Sequence, residues 1–123
     1  MRLNMIQNLK NGEIWLANLN PSKGTEPGKT RPVLVLQDQV LLDVQHPSTI
    51  IVPLTTNPIE NAHPLRIRIH ARDLLEKDSD LLIDQIRAID NKRFVQGPLT
   101  ILPSKQMKFI YEAISEVMGM TSL

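Results

Sequence analysis

A chain of 123 residues has room for one domain with a real core and little room for a second. Apolar residues make up 41% and aromatics only 3%, so aliphatic side chains must supply most of the packing; a formal net charge of +1 excludes a globally basic protein but not a local basic patch. The absence of cysteine excludes disulfides, thiolate catalysis and cysteine-bound zinc, and the three histidines (His46, His63, His70) lack the short spacing of a metal-binding pair.

Residues 1–11 carry no pattern and read as a poorly ordered lead-in to a single domain over 1–123. They lack the apolar centre of a signal peptide, and no apolar run approaches the roughly 18 residues of a membrane span. The expectation is a soluble cytoplasmic protein. From Glu13 to Leu19 the chain reads as a strand with large apolar groups on both faces, stopped by Asn20-Pro21. Residues 21–30, PSKGTEPGKT, are a loop, longer than a hairpin needs, and long loops in small domains tend to be functional. After Arg31-Pro32, the aliphatic run Val33-Leu34-Val35-Leu36 suits a strand buried on both faces.

No pattern is legible between Leu36 and Ile50. Ile50 to Thr56 reads as another buried strand, in which Pro53 must sit at an end, an edge or a bulge because it cannot donate to a ladder. Leu65 to His70 alternates strictly, aliphatic on one face and cationic on the other. Ala71 to Leu75 suits a helical turn, Leu81 to Ile89 a further extended run stopped by Asp90-Asn91, and Pro98 to Leu102 a last short strand. The period then changes. Met107, Ile110, Tyr111, Ile114, Val117 and Met118 form one stripe of an amphipathic helix, opened by Pro103-Ser104 and closed by Gly119. Five or six short strands and one packing helix predict a mostly-β (α+β) fold, a small and strongly bent sheet or barrel.

Four blocks in this order resemble the MazF/PemK family of toxins. They are Gly12-Glu13-Ile14-Trp15 with Asn20-Pro21-Ser22-Lys23-Gly24-Thr25-Glu26; Arg31-Pro32-Val33-Leu34-Val35; Val52-Pro53-Leu54-Thr55-Thr56; and Asp78-Ser79 with Asp84-Gln85-Ile86-Arg87-Ala88-Ile89-Asp90. The resemblance spans roughly residues 11–120 and departs from the family at Pro27, where glutamine is usual. It implies an SH3-like small β-barrel of the CcdB/MazF type acting as a homodimer. It further implies metal-independent, sequence-specific cleavage of single-stranded mRNA, with no cofactor, and neutralisation by a MazE-like antitoxin.

RNA carries its own nucleophile, the 2′-OH beside each phosphate. A metal-free ribonuclease must help remove that proton, offset charge on the phosphoryl oxygens and protonate the 5′-oxygen. Arg31 matches the family's catalytic arginine, and a guanidinium fork suits phosphate oxygens. Thr55, at the end of a buried strand, could donate to a non-bridging oxygen. Glu26 matches an acidic position that the family places near the scissile phosphate; it could accept the 2′-OH proton, or it could orient Arg31 through a salt bridge. Lys23, Lys29 and Arg87, with Arg66 and Arg68, are candidate phosphate contacts, and Thr25 and Thr56 are further candidates for binding substrate. Asn57 and Gln85 are candidate readers of base edges. Trp15 suits a core or dimer position better than a stacking platform. The alternative within the same fold is a CcdB-like, non-enzymatic gyrase poison. The terminal Met118-Gly119-Met120-Thr121-Ser122-Leu123 lacks that group's tryptophan and counts against it.

Overall fold

The computed structural model describes residues 8–21, 23–26 and 28–120. Seven strands and two α-helices follow in the order β1 (Glu13–Asn18), β2 (Thr30–Val35), α1 (Gln39–Asp43), β3 (Ser48–Thr55), β4 (Arg66–Ile69), β5 (Ser79–Leu82), β6 (Arg87–Asp90), β7 (Phe94–Ile101) and α2 (Ser104–Val117). All pairings are antiparallel, in the order β4-β5-β3-β2-β1-β7, with β6 also paired to β3. The expected mostly-β architecture with a C-terminal helix is present; the sheet is bent but not closed into a barrel.

The bend originates in β3. Its first half, Ser48–Ile51, pairs with β6, and its end, Leu54–Thr55, pairs with β5. Val52 and Pro53 fall between these two partners, so the missing proline N–H is placed where that edge has no ladder to feed. The run from Leu81 to Ile89 is accordingly not one strand. A 3-10 turn at Ile83–Gln85 separates β5 from β6, carrying the chain from one half of β3 to the other.

Strand alternation sorts side chains onto two faces. One face, with Ile14, Leu34, Val52, Leu54, Ile67 and Leu81, packs against Met107, Ile110 and Ala113 of α2. The helix therefore buries a stripe centred on Ile110, while Tyr111 and Met118 from the expected stripe stay exposed. The second face carries Trp15, Ala17, Val33, Val35, Ile51, Ile89 and Phe94. The Trp15 indole is buried there, its Nε1 donating to Glu13 Oε1 at 2.9 Å and its ring edge-on to Phe94.

Three further local expectations are corrected. The 8–11 portion of the lead-in is tied down: Leu9 is buried, and Asn11 Nδ2 lies within hydrogen-bond distance of the Leu36 and Gln37 carbonyls and the Tyr111 hydroxyl. Residues 1–7 lie outside the described residues. Between Leu36 and Ile50, where no pattern was legible, stands the short helix α1, capped by the Asp38 carboxylate on Val40 N–H. Ala71–Leu75 forms a tight turn closed by the Arg72–Leu75 bridge rather than a helical turn.

Candidate active site

The β1–β2 loop narrows at its tip to a turn closed between Lys23 and Glu26, with Glu26 N–H donating to Lys23 O at 2.8 Å. Lys23, Thr25, Glu26 and Lys29 are all exposed. At the base of the loop the chain re-enters the sheet, and there stands Arg31. On one side its backbone pairs with Ala17. On the other, the β2–β3 ladder ends at Val33 opposite Pro53, and Arg31 reaches β3 through its side chain, at the Leu54 carbonyl next to Thr55.

Arg31 is half-buried, and its fork is held by two backbone acceptors. Nε donates to Gly28 O at 3.0 Å and Nη1 to Leu54 O at 3.2 Å. Among the described residues no carboxylate reaches it, Glu26 included, so the salt bridge weighed for that pair does not form. Desolvation by burial lowers the Arg31 pKa, but from a starting point so high that the group stays protonated. The result is a fixed, partly desolvated cation whose hydrogen bonds end on neutral carbonyls. A phosphate arriving there would be its first anionic partner, in surroundings where charge–charge attraction is stronger than in bulk water.

Thr55, also half-buried, accepts from the Asn57 N–H at 3.2 Å through Oγ1. With that lone pair engaged by the chain, the hydroxyl proton is left to donate outward. Thr56 faces the other way, as alternation requires, and lines a cleft of about 390 Å³ with Leu16, Pro32, Leu74, Glu76 and Gln96. It is thus separated from Arg31 and Thr55. Asn57 is exposed immediately beyond Thr55.

Arg87 of β6 lies opposite Ile51 and shares its face, further along β3. It is half-buried, and its Nη1 is a buried nitrogen without a hydrogen-bond partner among the described residues. Gln85 is half-buried on the 3-10 turn just before it. Arg66 and Arg68 differ from Arg87: both engage Asp80, and Arg68 also engages Glu60. Two cations and two carboxylates leave that corner neutral, which argues against an open phosphate patch. Reasoning from sequence passed over Asp80 altogether. The available signal was an acid in a strand with an Arg-x-Arg strand close by, a cross-strand charge pattern.

The family model for the PemK-like, MazF-like toxin of type II toxin–antitoxin systems matches residues 10–118. The chain belongs to this family. It is 33% identical over 117 residues to the endoribonuclease MazF of Staphylococcus saprophyticus, covering 94% of this chain and 95% of that one. Its fold is similar to the crystal structure of MazF from Deinococcus radiodurans, with a TM-score of 0.77 at 21% identity over 94% of this chain and all of that one. It is also similar to a MazE–MazF complex from the same organism, with a TM-score of 0.71 at 22% identity over 94% and 100% of the two chains. The chain is a MazF-type, RNA-cleaving toxin by family, and the gyrase-poison alternative is not favoured. Its Arg31, Thr55 and Arg87 all lie inside the matched segment.

Proposed function

We propose that this MazF-family toxin cuts single-stranded mRNA at a short recognition sequence without a metal ion, using the RNA's own 2′-OH. The 2′-oxygen forms a bond to phosphorus as the bond from phosphorus to the 5′-oxygen breaks. The 2′-OH proton is lost to a base and a proton is taken up by the 5′-oxygen, leaving a 2′,3′-cyclic phosphate and a 5′-hydroxyl. Arg31 binds the phosphoryl oxygens and offsets their growing charge, and the Thr55 hydroxyl donates to the same group. Arg87 holds a neighbouring phosphate, Lys23, Lys29 and Thr25 on the loop steer the strand, and Asn57 and Gln85 contact it beyond the cut, while Thr56, facing away, takes no part. Glu26, on the exposed loop tip, serves as base only if that loop folds inward over the RNA. The active unit is a homodimer in the cytoplasm, silenced by a MazE-like antitoxin.

One observation carries this reading: a half-buried guanidinium pinned by two carbonyls, one of them that of Leu54 next to Thr55, and without a carboxylate partner among the described residues. The test is incubation of purified protein with a long unstructured RNA in excess chelator. Discrete fragments with 5′-hydroxyl ends are expected, and a single 2′-deoxy sugar at the cut position should block cleavage there. Complete inhibition by chelation, or normal cleavage at the deoxy position, overturns the mechanism.

A further inference from the structure

Beyond Thr55, the chain from residue 56 to residue 65 forms no helix or strand, and Asn57 through Glu60 are exposed. What fixes this segment is a side chain on another strand. Asp80 of β5 is only 1% exposed. Its Oδ1 accepts from Arg68 Nε at 2.6 Å, and its Oδ2 accepts from the Ile59 N–H at 2.8 Å and lies 3.5 Å from Arg66 Nη1. Each arginine then reaches back to the segment: Arg66 Nη1 donates to Asn57 O at 3.0 Å, and Arg68 Nη2 to Glu60 Oε2 at 2.7 Å. Asn57, Ile59 and Glu60 are thus all tied to one buried carboxylate, directly or through one guanidinium. Asn57 in turn donates its N–H to Thr55 Oγ1.

A buried carboxylate is costly unless its oxygens are satisfied, so Asp80 and the segment depend on each other. The register adds proximity. Asp80 is the ladder partner of Thr55 on one side and of Arg68 on the other, which sets Thr55, Asp80 and Arg68 in one row across three strands, with Arg31 reaching the Leu54 carbonyl next to Thr55.

We propose that Asp80 is a positioning residue for RNA cleavage, holding Asn57–Glu60 in one conformation beside Thr55 and so determining which short RNA sequence is accepted there. This rests on the ribonuclease reading above. Base edges are read by amides and backbone groups whose placement must be accurate to a fraction of an ångström, and a segment without regular structure has that accuracy only if it is pinned. Asp80 touches no reacting atom. It acts through Arg66, Arg68 and the Ile59 amide.

The experiment compares the wild-type chain with Asp80→Asn and Arg68→Met on a pool of RNA of randomised sequence, then on the oligonucleotide the wild type prefers. Asp80→Asn keeps the shape and removes the charge; Arg68→Met sits on a half-exposed strand position and removes two of the bonds without entering the core. The expected result is a broadened set of cut sequences and a KM on the preferred oligonucleotide raised roughly 10-fold to 100-fold, the scale of a misplaced binding group, with kcat at saturation nearly unchanged. A folded variant that cuts the wild-type sequences with wild-type KM overturns the proposal. So does one that loses kcat uniformly with its sequence preference intact. If Asp80→Asn fails to fold, Arg68→Met decides by the same two criteria. A wild-type chain that cuts no RNA in the same assay overturns the ribonuclease reading itself, and this inference with it.

Discussion

Arg31 is held by geometry that a lysine cannot copy. Two backbone carbonyls take Nε and Nη1, which leaves Nη2 for the phosphate of the proposed substrate. Arg31→Lys keeps the charge but not the fork. It should fold like the wild type by circular dichroism and lose about 10²–10³ in single-turnover cleavage rate, the scale of a lost transition-state donor. At Thr55 the hydroxyl matters more than the bulk. Thr55→Val should slow cleavage about 10-fold or more, whereas Thr55→Ser should recover most of the rate, since only the latter donates to a charged oxygen. Arg31 and Thr55 stood out as candidates because each lies within a few residues of a strand end and inside a short motif. Glu26 stayed open between base and salt-bridge partner of Arg31, because five residues of loop do not disclose whether the chain doubles back; the structure removes the salt bridge. Asp80 was harder to find: the Arg-x-Arg strand pattern hinted at it, but its partners Arg68 and Ile59 stand 12 and 21 residues away.

Among the elements, periodicity located the strands with continuous aliphatic runs and the final helix. It missed where contacts from outside the segment decide the outcome. The extended run from Leu81 to Ile89 breaks because β3 changes partners at Val52-Pro53, a fact about another strand. β7 begins at Phe94, earlier than the Pro98 expected, since Gly97-Pro98 reads locally as a breaker. Gly97 is there for space. A Cβ at that position would stand 2.4 Å from Trp15 Cδ2 and 2.7 Å from Cγ, atoms of a buried ring already fixed by Glu13 and Phe94. Gly97→Ala should therefore destabilise the protein by about 1–3 kcal/mol, the usual range for overpacking, read as a lower midpoint in urea unfolding with unchanged slope.

For the molecule as a whole, acid sensitivity follows from the Asp80 corner. Burial alone would raise the Asp80 pKa, but the Arg68 hydrogen bond, the Ile59 amide and Arg66 outweigh it and hold the carboxyl below its ordinary value. Asp78 is likewise lowered, first by the Ala71 N–H and then by His70. A carboxyl with a depressed folded pKa contributes stability that is complete above the unfolded value of about 3.9 and is lost as pH falls through the folded one. Stability should thus decline on acidification below about pH 4, and the Asp80→Asn variant should show a shallower acid limb in melting temperature against pH. A parallel pair of curves removes Asp80 from that linkage.

The Asn11 carboxamide ties three stretches that are far apart in the chain: the lead-in, the corner where β2 runs into α1, and Tyr111 on α2. Peeling α2 off the sheet would therefore also cost Asn11 its Tyr111 contact. Isotope exchange at Gly12 and at Ile110 should rise together in Asn11→Ala.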